Sequence, residues 1–176
     1  MESESEGNHP DAAVAVIIDP FRFGTSILLI RRTERSGDPW SGQMAFPGGY
    51  KAADDRTFLE TAIREANEEV GIPLGQHTVL GVLPLIYART RRVKVAPFVF
   101  LLRKSVQIHT SFEVSDTFWV PVSDLAGSAV IRREVEVEEG RLMVDSYNYR
   151  ENVIWGLTFR IINMLLGKTS KPTEQV

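Results

Sequence analysis

Short apolar and β-branched runs alternate along the chain with polar, turn-forming stretches. AAVAVIID from Ala12 and SILLIRR from Ser26, separated by Pro20 and Gly24, predict two strands joined by a turn. A loop rich in Gly, Pro and Ser follows, TERSGDPWSGQ, and then MAFPGG. Leu59, Ala62, Ile63, Ala66 and Val70 recur at helical spacing, with Asp54 or Asp55 as the expected N-cap and Gly71 as the stop. TVLGVLPLIYA and RVKVAPFVFLL predict strands, TFWVPV a shorter one, and VSDLA a turn of helix. VIRREVEVEEG and RLMVDSY suit the two arms of a hairpin. Ile154, Leu157, Ile161 and Leu165, flanked by Phe159 and Ile162, predict a second amphipathic helix. Strands before, between and after two main helices imply an α/β architecture, a mixed β-sheet with a helix on each side.

Polar residues 1–11 and 167–176 lack apolar periodicity and read as disordered tails around one folded domain, residues 12–166. A chain of 176 residues suits a single domain with a real core. With 43% hydrophobic and 24% charged residues it has ordinary globular composition, and a net charge of -3 points to neither nucleic acid nor anionic membrane as a partner. The absence of cysteine excludes disulfides, thiolate nucleophiles and Cys-based zinc or iron-sulfur sites. The acidic start MESESEGNHPD is unlike a signal peptide, and no apolar run approaches the roughly 18 residues of a membrane span, so a cytoplasmic location is expected.

REANEEVGI, Arg64 to Ile72, changes this bland picture. Glu65, Glu68 and Glu69 fall on one helix face, away from the apolar stripe and just before Gly71. Carbonyl dipoles make that helix end negative, so acids there are disfavoured by roughly 0.3 to 1 kcal/mol each when exposed. A hard divalent cation, Mg²⁺ or Mn²⁺, resolves the conflict, because it prefers a few carboxylates together with waters and substrate phosphates. Arg64 has two readings, a surface partner for Glu60 or a group that orients a carboxylate or meets a phosphate.

Gly49 followed by R-E-A-N-E-E-V-G-I resembles the Nudix box. The second half matches at every specified position. In the first half the spacing from Gly49 to Arg64 is one residue longer than usual, and Arg56 stands in the place of the first glutamate, with Asp55 beside it. The resemblance implies a Nudix fold, an α/β/α sandwich, and a metal-dependent hydrolase of a nucleoside diphosphate linked to another group. By motif position it implies Glu65, Glu68 and Glu69 as metal ligands, Arg64 as the residue that orients them, and a backbone carbonyl ligand from Gly48 or Gly49. It also offers Glu113, six residues before Trp119, as the general base; Glu68 is the alternative, and Glu134, Glu136, Glu138 and Glu139 are weaker candidates on an expected exposed strand.

LLIRRTERSGDPWSGQMAFPGG resembles the signature of the coenzyme A pyrophosphatase branch of that family, as do IWGLT and VLPLIY; Asp38 stands where the signature has a second Arg. This implies coenzyme A or a related nucleotide diphosphate as the small-molecule substrate. Arg32, Trp40, Arg91 and Arg92 are the candidate binding residues, with Arg89 and Lys94 in the same basic run. An ADP-ribose or nucleoside triphosphate hydrolase and a non-catalytic nucleotide-binding module are the alternatives, the full glutamate set favouring catalysis. A homodimer is compatible with the sequence. GKTS at Gly167 lacks the rest of a P-loop, the three histidines lack ligand spacing, and there is no G-x-S-x-G elbow.

Overall fold

The computed structural model describes residues 9–34, 41–88, 92–137 and 140–168. Trp40, Arg91, Asp38, Arg89, Glu138, Glu139 and most of both predicted tails lie outside the described residues.

Strand β1 (Ala12–Asp19) is the axis of the molecule. It pairs in parallel with β7 (Val93–Leu101) from Ala12↔Val95 to Ile18↔Leu101. Its other edge is divided. Near its end, Ile18 and Asp19 pair antiparallel with β2 (Ser26–Arg32); near its start, Ala12–Val14 pairs with β4 (Gly48–Tyr50). Strand β2 diverges from β1 between these points and takes β3 (Met44–Ala45) and β8 (Val114–Pro121) as neighbours, with a register shift between Arg31 and Arg32. The FPGG turn therefore crosses from β3 to β4 at the mouth of a split sheet, and the Ala15 amide donates to the Pro47 carbonyl at 2.7 Å. Strands β5 (Thr78–Val82) and β6 (Ile86–Ala88) complete the mixed sheet on the far edge of β7. A separate antiparallel sheet contains β9 (Ile131–Val137), β10 (Gly140–Tyr149) and β11 (Asn152–Trp155).

Strand β1 is buried on both faces, as a central parallel strand must be. Ala13, Ala15 and Ile17 share one apolar cluster with Ala62, Ala66 and Val70 of α1 (Phe58–Val70); alanines on both sides of that contact let the helix approach closely. Ala12, Val14 and Val16 belong to the opposite cluster, with Phe159, Ile161 and Ile162 of α3 (Gly156–Leu165). A short α2 (Val122–Gly127) follows β8. The sheet is thus covered by a helix on each face, the α/β/α arrangement expected from the pattern. Among the described residues no helix is long and apolar enough to cross a membrane.

Four local expectations are corrected. The N-cap of α1 is Thr57, whose side chain accepts from the Glu60 amide at 3.2 Å; Asp55 is instead buried and otherwise engaged. Ile154 belongs to β11, paired with Tyr147, and the helix begins only at Gly156, which takes a left-handed φ of 61°. TVLGVLPLIYA is broken into β5 and β6, with Pro84, which has no amide to donate, between them. Asp11, assigned to the tail, is tied to β7 by its amide to the Lys94 carbonyl and by its carboxylate to the Lys94 amide, both at 2.7 Å.

Candidate active site

Helix α1 lies across the divided edge of β1, so its last two turns face Gly48 and Gly49. The Gly48 amide donates to Glu69 Oε2 at 2.9 Å, and Arg32 Nη1 lies 3.5 Å from Glu69 Oε1. Neither glycine has a positive φ; closeness is what requires them. A Cβ on Gly48 would come within 2.4 Å of the Ala13 carbonyl oxygen, and one on Gly49 within 2.5 Å of Glu65 Oε1.

The three glutamates differ in environment. Glu68 keeps 56% of its side chain exposed, Glu65 15% and Glu69 3%. Burial pushes the Glu69 carboxyl up to about 7, against the opposing Gly48 hydrogen bond and Arg32, with Glu65 and Glu113 repelling it further. Glu65 is raised for the same first reason, burial, partly offset by Arg64 and reinforced by Glu68 and Glu113. Glu113 is therefore close enough to act on both.

Arg64 binds neighbouring carboxylates. It contacts Glu65 Oε1 at 2.8 Å and Glu68 Oε2 at 3.0 Å through Nη1, and the Tyr50 carbonyl at 3.2 Å through Nη2. Its other side grips Asp55, with Nε to Oδ1 at 3.0 Å and Nη2 to Oδ2 at 2.9 Å. Asp55 also accepts from Thr61 Oγ1 at 3.0 Å and the Ala52 amide at 2.9 Å, and the Arg64 bonds hold its carboxyl well below the usual range. Glu60 pairs with Arg56 at 3.1 Å, so the surface reading of Arg64 fails. In the sequence Asp55 reads only as an acidic helix-start residue; its neighbour Arg56, out of pattern in the box, is the signal that points to it.

The loop before β8 delivers Glu113. Its Ser111 and His109 amides donate to the Glu69 and Val70 carbonyls, each at 3.0 Å, and so cover the negative end of α1. Gly71, at φ 70°, allows this contact, because a Cβ there would press on His109 at 3.0 Å. The Glu113 carbonyl accepts from the Thr33 amide at 2.9 Å, which fixes the loop to β2 just past Arg32. Among the remaining candidates, Arg92 sits exposed at the β6–β7 turn with φ 52°, on the side of β1 away from β2. Glu134 and Glu136 are exposed on β9 and face Arg141, which is 3.1 Å from Glu134 and 3.9 Å from Glu136.

Arg32 and Thr33 also line a cleft of about 740 Å³ between β2–β3 and the second sheet, whose far wall includes Val153 and Trp155. A smaller groove of about 420 Å³, lined by Phe23, Trp119 and Tyr149, contains none of the carboxylates discussed above.

An all-oxygen, acid-rich site of this kind suits a hard divalent cation. Among the described residues no three Asp, Glu or His side chains already converge as a ligand set, because Glu65 and Glu68 turn to Arg64 and Glu69 to Gly48 and Arg32. The fit rests on the buried Glu69 and the half-buried Glu65, carboxylates that repel one another and Glu113 and that gain from a cation.

Comparison with known proteins gives the class. The NUDIX domain family matches residues 8–145. A Nudix hydrolase NudL of Pectobacterium atrosepticum is 34% identical over 159 residues, covering 89% of this chain and 82% of the relative. One from Photorhabdus laumondii is 36% identical over 140 residues, covering 78% and 74%. Among solved structures, a C. elegans Ap4A hydrolase has a TM-score of 0.55 at 22% identity, covering 65% of this chain and 82% of that one. A MutT protein from Methanosarcina mazei has a TM-score of 0.53 at 25% identity, covering 72% and 86%. The fold is the Nudix fold, and the chain belongs to the Nudix hydrolase family. It is a hydrolase of diphosphate bonds in nucleoside diphosphate derivatives, from a family that generally uses divalent metal ions.

Proposed function

We propose that this protein is a Mg²⁺- or Mn²⁺-dependent pyrophosphohydrolase that cleaves the diphosphate of coenzyme A or a closely related nucleotide. The observation that carries the reaction is the buried Glu69 carboxylate, set against the Gly48 amide and beside Glu65 and Glu113. Support for coenzyme A comes from the stretch LLIRRTERSGDPWSGQMAFPGG together with IWGLT.

Glu65, Glu68 and Glu69 would hold the cation, which would offset the charge of the diphosphate and make a water easier to deprotonate. Arg64 orients Glu65 and Glu68, and Asp55 holds Arg64 in place from behind. Arg32, already beside Glu69, meets the diphosphate oxygens as a planar donor. Glu113 takes the proton of the attacking water, its loop fixed to α1 and β2 by backbone bonds. The Gly48–Gly49 backbone lies against the same cluster and would supply a carbonyl ligand from one of the two residues.

The full-length protein, incubated with Mg²⁺ or Mn²⁺ and coenzyme A, ADP-ribose, dinucleoside polyphosphates or nucleoside triphosphates, tests the reading by product analysis. The expected result is conversion of coenzyme A to 4′-phosphopantetheine and adenosine 3′,5′-bisphosphate, abolished by chelator. Cleavage of ADP-ribose or a nucleoside triphosphate with coenzyme A left intact would assign the chain to those substrates instead.

A further inference from the structure

The cleft beside the carboxylates is built as a binding site in its own right. It begins at Arg32 and Thr33, which touch Glu69 and the Glu113 carbonyl respectively, so anything held at the carboxylates extends into it. Its width is fixed by cross-links between its walls. Thr158 Oγ1 donates to the Met44 carbonyl at 2.9 Å, tying the start of α3 to β3. Arg31 reaches Asn152 Oδ1 at 3.5 Å and binds Asp116 on β8. Such ties hold these described walls in place before anything binds.

Its chemistry is uneven. Met44, Val153 and the half-buried Trp155 give it an apolar strip for a flat or slender group, set among the polar side chains of Ser41, Gln43 and Asn152. Toward solvent stand the carboxylates of Glu34, Glu136 and Glu151, all exposed. Of the lining arginines among the described residues, Arg31 is engaged by Asp116 and Arg32 lies at the catalytic end; Arg141 reaches Glu136 only at 3.9 Å. Beyond Arg31 and Arg32, then, the described lining is an apolar strip among neutral polar groups, with three exposed carboxylates.

We propose that this cleft is the subsite for an uncharged end of the diphosphate substrate, with Trp155 as its wall, and that the acidic mouth rejects an end carrying a further phosphate. The proposal rests on the diphosphate-hydrolase reading of the carboxylate site and adds a rule for orientation. For coenzyme A, the pantetheine arm enters the cleft and the phosphorylated adenosine lies outside it.

Binding, in Mg²⁺, of nucleotides that carry no diphosphate tests it without turnover. AMP and adenosine 3′,5′-bisphosphate differ only in the second phosphate, and their affinities are read by titration calorimetry. Wild-type protein is expected to bind AMP at least fivefold more tightly than the bisphosphate. Trp155→Ala is expected to weaken AMP at least fivefold, with Trp155→Phe restoring most of it and both variants melting as the wild type does. Glu136→Lys combined with Glu151→Lys is expected to narrow the gap between the two ligands at least threefold. No AMP binding to the wild type, unchanged AMP affinity in Trp155→Ala, or an unaltered gap in the charge-reversed variant overturns the proposal. Hydrolysis of the diphosphate panel is measured separately: turnover with these binding results absent removes only the subsite, and Trp155-dependent AMP binding without turnover removes the reaction and keeps the subsite.

Discussion

The Gly48 amide donates to the Glu69 carboxylate at 2.9 Å, joining the strand at the split of the sheet to the last turn of α1. The bond exists because β4 can lie against β1 with no side chain at Gly48, and because α1 sits close over Ala13 and Ala15. The two adjacent glycines nevertheless have different duties. Gly48→Ala drives a methyl into the Ala13 backbone and is expected to destabilise the fold, whereas Gly49→Ala meets only the Glu65 carboxylate. Gly49→Ala should therefore leave the melting temperature within a few degrees of wild type while cutting activity at least tenfold. Thermal melts alongside rate measurements check both.

Glu69 makes the metal-free protein weaker as pH rises. Its carboxyl ordinarily titrates near 4.5 and is pushed up to about 7 by burial, so the folded state holds the proton longer. The resulting penalty is absent below about pH 4.5, grows to pH 7 and is constant above it. Its size is roughly 3 kcal/mol. In chelator, Glu69→Gln should melt higher than wild type at pH 8 and close to it at pH 4.5. Equal melting curves at pH 8 would count against the buried charge.

Asp55 has the opposite sign. Its carboxyl is held low by Arg64, so it stabilises the fold above its ordinary range near 3.8, and that stability is lost as pH falls through its depressed value. Asp55→Asn at neutral pH is expected to cost about 3 kcal/mol, the low end for breaking a buried pair, because Arg64 is partly exposed. It should also slow hydrolysis, since Arg64 loses the group that aims it at Glu65 and Glu68. Denaturant titration and kcat of the same variant test the two effects together.

Glu113 and Glu68 compete for the role of base. Glu113→Gln should lower kcat by about 10² to 10⁴ with KM changed little. A change of only a few fold would move the role to Glu68.

The parts of this site that were legible in the sequence are those written in local spacing. REANEEVGI sets three carboxylates on one face of α1 by helical periodicity alone, and the alternating runs mark β1, β2 and β7. The pairing of Asp55 with Arg64 was not legible, because it depends on how the chain before the helix folds back onto it. Acids at the negative helix end looked unsupported in one dimension; in space, Arg64 engages Glu65 and Glu68, and the Ser111 and His109 amides cover the last carbonyls. Glu69, the most buried of the three, keeps the most strain, and Glu65 keeps some through burial and its acidic neighbours. Ile154 fits the apolar stripe of the last helix yet lies in β11, since pairing with Tyr147 and the left-handed turn at Gly156 override periodicity.

We propose that the α1 carboxylates carry a metal-dependent hydrolysis. The most direct measurement is the rate of diphosphate cleavage in Mg²⁺ by Glu69→Gln against wild type, with both shown to be folded. A fall of at least about a hundredfold, with wild-type turnover lost in chelator, is predicted. Retention of activity within about tenfold, or chelator-resistant turnover, would contradict it.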